Sequence, residues 1–268
     1  MPPPEHMGWF VAHPSINTTA GRSVSIFEFA HQPDDAILAA WARHFREHYC
    51  LDADIDVLRG GTGLSRAQFL IERIFPNAEN PGPAVRAGDF AEILVSDFLE
   101  YSLDHWMPRW RFSEKATPNE SVKGTDIIGL RICPNGNALQ DTLTTFEVKA
   151  QLSGGRARAR LQDAVDDAAK DRVRQAYTLL AMKRRAHLIG DTERVALVER
   201  FQLKADRPFT EQVGAAAFVN NLVFDAEQIA ATSTVAHPPG TALLLLVIRG
   251  EDLMTLAHNL YERAANEA

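Results

Sequence analysis

Cysteine is nearly absent: Cys50 and Cys133 are the only two among 268 residues, and they stand far apart. With no CxxC pair, neither a disulfide scaffold nor a cysteine-ligated zinc site is supported. Long apolar runs are missing as well. Even Ala242 to Ile248, a run as long as any in the chain, falls well short of the ~20 residues that span a bilayer, so no membrane association is expected. The start, Met1-Pro2-Pro3-Pro4-Glu5-His6, lacks the positive-then-apolar order of a secretory signal, and the cytoplasm is the expected location. Gly60-Gly61-Thr62-Gly63 is not followed by Gly-Lys-Ser/Thr, which leaves a turn rather than a phosphate loop. Neither HExxH nor GxSxG occurs, which argues against a zinc hydrolase or a serine esterase.

Positive charge is also in deficit overall, with a net charge of −7. Its distribution is uneven. From Lys149 to Arg185 ten Lys/Arg face only Asp163, Asp166, Asp167 and Asp171, so this stretch carries +6 and the remainder −13. A phosphate backbone would be gripped there, with Arg156, Arg158, Arg160, Lys170 and Arg174 as candidate DNA contacts. A solvated helix face with Asp166–Lys170 pairing at i,i+4 is the alternative.

What the chain does have is a spaced set of acids. Thr145-Phe146-Glu147-Val148-Lys149 reads as a strand, and alternation puts Glu147 and Lys149 on one face with Phe146 and Val148 on the other. Asp126 to Ile132 reads as its partner, with turn residues at Pro134-Asn135-Gly136-Asn137. A register centred between Gly136 and Asn137 places Asp126 opposite Glu147, where facing Cβ atoms lie roughly 4.5–5.5 Å apart. Two carboxylates that close repel unless a cation lies between them, and oxygen-only ligation suits Mg²⁺, with Mn²⁺ as an alternative. The Val148 carbonyl is a further candidate ligand. Lys149 could orient or deprotonate a water or stabilise developing charge. A surface hairpin with an ordinary Glu/Lys edge is the competing explanation.

Around this hairpin, Val24 to Phe29 is expected as a strand, and Asp34-Asp35 opens a helix through Trp41 and Phe45. A helix is expected from Gln68 to Phe75, and another over Gly88 to Tyr101 carries Glu92 beside an apolar stripe. The breaker Pro76 to Pro83 divides an N-terminal accessory region, 1–83, from a core, 84–268. A strand near Trp110-Arg111-Phe112 and a long helix from Leu161 to Arg185 follow. The latter's apolar positions are Leu161, Val165, Ala169, Val173, Ala176 and Leu180. A buried strand over Thr241 to Ile248 and a helix over Glu251 to Ala265 close an α/β fold.

The order Gly88-Asp89-Phe90-Ala91-Glu92, Lys123-Gly124-Thr125-Asp126, then Phe146-Glu147-Val148-Lys149-Ala150-Gln151 resembles the PD-(D/E)xK nuclease superfamily, here without the proline. More narrowly it resembles the nuclease subunit of Hachiman anti-phage defence systems, over about the central third of the chain. The resemblance implies a restriction-endonuclease-like core, a mixed sheet flanked by helices, that hydrolyses phosphodiester bonds. It puts Glu92, Asp126, Glu147 and Lys149 at active-site positions and Gln151 in support. It further implies DNA as substrate and a heteromeric complex with a helicase-like subunit. A catalytically silent nuclease-fold subunit of a DNA-processing complex is the alternative.

Overall fold

A computed structural model describes residues 2–170 and 172–268. Six strands form one mixed sheet in the order β1-β2-β6-β5-β4-β3. They are β1 (Phe10–Asn17), β2 (Ser23–Phe29), β3 (Ile127–Arg131), β4 (Thr142–Gln151), β5 (Thr210–Asn220) and β6 (Ala242–Gly250). The inner neighbours β2/β6, β6/β5 and β5/β4 run parallel, while β1/β2 and β3/β4 pair antiparallel at the two edges. Parallel strands are covered on both faces, and the aliphatic run of β6 is spent that way, Leu246 and Ile248 toward one core and Leu245 and Val247 toward another.

Nine described helices surround the sheet: α1 (Asp35–Glu47), α2 (Ile55–Leu58), α3 (Arg66–Phe69), α4 (Gly82–Leu103), α5 (Arg160–Ala168), α6 (Arg172–Leu188), α7 (Thr192–Arg200), α8 (Ala226–Ala230) and α9 (Leu253–Asn266). On one face α1, α4 and α9 bury Trp41, Phe45, Phe90, Leu94 and Tyr261 against Phe146, Val148 and Phe218. On the other, α5 buries Leu161, Ala164 and Val165 against Ala215 and Ala217. The pair α6/α7 covers the β3 end of the sheet through Leu179, Met182 and Val198 against Ile128, Leu130 and Leu143. This is the expected α/β architecture, consistent with a restriction-endonuclease-like core. Helix α1 begins where expected, because the Asp34 carboxylate accepts from the N–H groups of Ala36 and Ile37 at 3.0 and 3.1 Å. Residues on either side of Pro83 share the sheet and the first core, through β1, β2 and α1 before it and α4, β6 and α9 after it.

Several elements differ from expectation. Trp110 to Phe112 is not a strand: Trp106 alone bridges to Leu130, and the segment is a loop whose bulky side chains fill core edges instead. The long helix is two, α5 and α6. The break resets the helical phase, so Leu179 and Met182 point inward while Ala176 and Leu180 face solvent. Asp171 and the side chain of Val173 lie outside the described residues. Strand β1 was hidden by Pro14 and its exposed edge position, and β5 by the Gly214-Ala215-Ala216-Ala217 run, whose β propensity is poor. Small residues are needed there. A Cβ on Gly214 would lie 2.3 Å from the Phe146 ring.

Candidate active site

Strand β4 carries the central residues, and the alternation holds. Phe146 and Val148 face α4 in the first core. Glu147 and Lys149 lie alongside Ala215 and Ala217 of β5 on the α5 side. The β3/β4 register pairs Ile127 with Phe146 and Ile128 with Thr145. One step further brings Asp126, just before β3, level with Glu147, as the turn-centred register requires. The connection itself is longer than a tight hairpin and contains a 3₁₀ turn over Ala138–Gln140.

Asp126 takes over where the β3 ladder ends. Its Oδ2 accepts from the Val148 N–H at 3.1 Å. The N–H and C=O of one strand residue face the same neighbour, so the Val148 carbonyl points into the gap beside Asp126. The preceding Gly124 has φ +118°, a conformation that favours glycine. This turn lets the Thr125 N–H donate to Thr178 Oγ1 of α6 at 3.2 Å. The Gly-Thr-Asp sequence is thus a turn that aims Asp126 along the end of β4.

Glu92 reaches the same region from α4 through Arg111. The Arg111 guanidinium lies 3.2 Å from Glu92 Oε2 and 3.3 Å from Asp126 Oδ1, and it also donates to the carbonyls of Thr125 and Val122. Burial pushes the Glu92 carboxyl well above the usual carboxylate range, and the Asp126 and Asp89 charges add to this against the pull of Arg111. Glu147 is raised too, by burial first and then by Asp126. Glu92 Oε2 and Glu147 Oε2 are both buried without a hydrogen-bond partner. Arg111 and Arg174 approach these two oxygens at 3.2 and 3.8 Å, and a hard cation with oxygen ligands could take that place, so Glu92, Asp126 and Glu147 fit a divalent metal chemically.

Lys149 donates to Glu147 Oε1 at 2.8 Å and to Asp167 Oδ2 of α5 at 2.7 Å. Burial works against its ammonium, but these two bonds outweigh it and hold the pKa above the ordinary lysine range. Asp167 is shared with Lys170 at 2.7 Å, and the two lysines bring its carboxyl down to about 2.

A family model described as HamA matches residues 5–264. The chain belongs to the HamA family. A search of curated proteins finds no match. Membership in HamA fits a Hachiman anti-phage defence protein, and the match extends the earlier resemblance from the central third to nearly the whole chain. Among the described residues no helix is long and apolar enough to cross a membrane.

The remaining candidates of this HamA-family chain fall in separate places. Gln151 stands at the end of β4 and pins the following loop, donating to the Arg156 carbonyl at 2.9 Å and accepting from the Arg158 N–H at 3.2 Å. Arg156, Arg158 and Arg160 line an open groove that begins at Lys149, with Arg160 paired to Asp163. Lys170 pairs with Asp167 rather than Asp166, which accepts from Gln162 instead. Arg174 lies on the next helix, 3.8 Å from Glu147 Oε2, so Lys170 and Arg174 do not share one helix. Arg111 and Asp167 were not singled out beforehand, since a loop and a separate helix deliver them.

Another cluster on α4 looks more like a metal site by distance alone. His44, His48 and Asp97 place one ligand atom each within 4.8 Å of one another, and among the described residues no other His/Cys/Asp/Glu triplet does. The His44-Phe45-Arg46-Glu47-His48 spacing, i and i+4 from α1 to its C-cap, is a sequence signal for it that was missed. Arg109 fills its centre: Nη1 is 3.0 Å from His44 Nε2, 2.7 Å from His48 Nε2 and 2.9 Å from Asp97 Oδ1. That position is already taken by a permanent cation.

Proposed function

We propose that this HamA-family chain is a metal-dependent DNA nuclease of the PD-(D/E)xK type and the effector of a Hachiman defence complex with a helicase-like partner. The observation that carries this reading is the end of β4. There Glu147 and Lys149 share a face, Asp126 is bonded to the intervening Val148 N–H, and carboxylate oxygens of Glu92 and Glu147 are buried without a hydrogen bond. Asp126, Glu147 and the Val148 carbonyl would hold Mg²⁺ or Mn²⁺, with Glu92 completing or flanking the set. When bound, such a cation supplies charge neutralisation at the phosphoryl group and a more acidic water.

The protein's own groups divide the rest of the work. Lys149 is held protonated by Asp167 and Glu147, which favours orienting the attacking water or stabilising charge on the phosphate over acting as a base. Arg111, between Glu92 and Asp126, neutralises two acids that would otherwise repel each other and the incoming phosphate. Arg156 and Arg158, exposed in the groove beside Lys149, suit contacts to a DNA backbone. A catalytically silent subunit is the second reading, favoured by one feature: Arg111 already supplies a cation to two of the acids.

The test is incubation of the purified protein with supercoiled plasmid and Mg²⁺, beside Lys149→Ala prepared identically. Nicking or degradation that EDTA stops, and that the variant lowers by about 100-fold or more, is the expected result. Equal cleavage by Lys149→Ala would overturn the assignment. If neither protein cuts, the assay is repeated with the co-purified partner; continued inactivity in that complex favours the silent subunit.

A further inference from the structure

We infer that the cavity beside Asp126 receives an unpaired nucleotide, which makes single-stranded DNA the preferred substrate class; this rests on the nuclease reading above. The cavity is about 700 Å³ and lies between α4, the 107–126 loop and α6. Glu92, Arg111 and Asp126 are among its lining residues, so it opens directly onto the proposed site of chemistry.

Its lining specifies a ligand with both a flat aromatic part and a negative charge. Trp110 and Tyr177 supply π-faces over a floor of the buried core residues Met107 and Met182, while Lys123 and Arg174 bring positive charge to the same walls. Tyr177 is 69% exposed although it belongs to a helix that buries Leu179 and Met182. Thr125, 1% exposed, carries a buried hydroxyl with no hydrogen-bond partner and lines the same cavity. A base edge offers the donor or acceptor that this hydroxyl lacks.

Size separates unpaired from paired DNA. The volume falls within the roughly 300–1,000 Å³ of small-ligand sites, room for a nucleotide or two. A paired base cannot enter it without leaving its partner and the stack. Single strands are held by stacking on aromatic side chains combined with a cationic path for the backbone, and both features are present here. A strand whose base occupies this cavity would have its adjoining phosphate near Asp126, which lines the cavity.

The test is fluorescence anisotropy of the full chain with a labelled oligothymidylate and with a blunt duplex of equal length, in EDTA so that no cleavage occurs. The single strand is expected to bind more tightly. Tyr177→Ala, at an exposed position, and Trp110→Leu are each expected to weaken single-strand binding by roughly 5- to 150-fold and to leave duplex binding unchanged. Tyr177→Phe should retain wild-type affinity. Equal affinity for both probes, wild-type single-strand affinity in both aromatic variants, or no binding to either probe would overturn the inference. The same two probes with Mg²⁺ separate the two proposals. Tyr177-dependent binding without Asp126-dependent cleavage defeats the nuclease and keeps the cavity. Asp126-dependent cleavage of the duplex without single-strand preference defeats the cavity alone.

Discussion

Glu92 and Asp97 lie five residues apart on α4, and their surroundings are opposite. Burial opposes the Asp97 charge, but His44, His6 and Arg109 outweigh it and hold the carboxyl well below its usual range. Its oxygens meet His6 and His44 at 3.0 Å and Arg109 at 2.9 Å. Glu92, with Asp126 and Asp89 nearby and Arg111 as its nearest cation, is pushed up instead. Where the fold supplies the counter-charge itself, the cluster ties elements together: the N-terminal turn, α1, α4 and the loop carrying Arg109. Where carboxylate oxygens are buried without a hydrogen bond, as at Glu92 and Glu147, the place is left for something exchangeable. Proximity of ligand atoms by itself would have ranked these two clusters the other way round.

The comparison is broken most severely by removing Asp97. Asp97→Ala strips the partner from buried His6 and from half-buried His44 and Arg109, and thermal or urea unfolding should show a loss of about 3–5 kcal/mol. Stability unchanged in this variant would mean that the cluster ties nothing together.

Acid should produce a smaller, graded version of the same loss. His6 and His48 have lowered pKa values, chiefly from burial, so below the ordinary histidine value of about 6.5 the unfolded chain takes up protons that the folded chain resists. Asp97, lowered in the fold, contributes stability that is present above its unfolded value of about 3.9 and is lost as pH falls through its folded value. Both effects have one sign. The raised carboxyls Glu92 and Glu147 act in the opposite sense, so the cluster's share is read as a difference: the gap in melting temperature between wild type and Asp97→Asn should narrow as pH falls below about 4. A gap that stays constant or widens on acidification would contradict this account.

The smallest effect is expected on the other side. Glu92→Gln removes a charge from a crowded acidic site, so its stability should stay within about 1 kcal/mol of wild type or rise, as differential scanning calorimetry would show. A loss as large as that of Asp97→Ala would make Glu92 a structural residue.

What the sequence disclosed about the site depended on locality. Alternation alone fixed the faces of Glu147 and Lys149, and the turn residues near Gly136 fixed the register that aligns Asp126 with them. Helix α1 was legible from Asp34 and α9 from its apolar spacing. Arg111 was missed because bulky neighbours made a loop resemble a strand, and its partners Glu92 and Asp126 come from different elements. Asp167 belongs to a helix whose end cannot be seen in an unbroken apolar pattern, and its role depends on where α5 crosses β4. The His44–His48 pair stands one helix turn apart in the sequence but was passed over, and Asp97 and Arg109 meet it only in the fold.

The central claim is that the exchangeable cation belongs at the end of β4 and not at the histidine cluster. Titration of the metal-free protein with Mn²⁺, followed by calorimetry or by the loss of the free-ion paramagnetic resonance signal, tests it directly. The account predicts saturable binding that disappears in Asp126→Ala and Glu147→Ala and survives in His48→Ala. Binding that survives both acid substitutions and is lost in His48→Ala would contradict it.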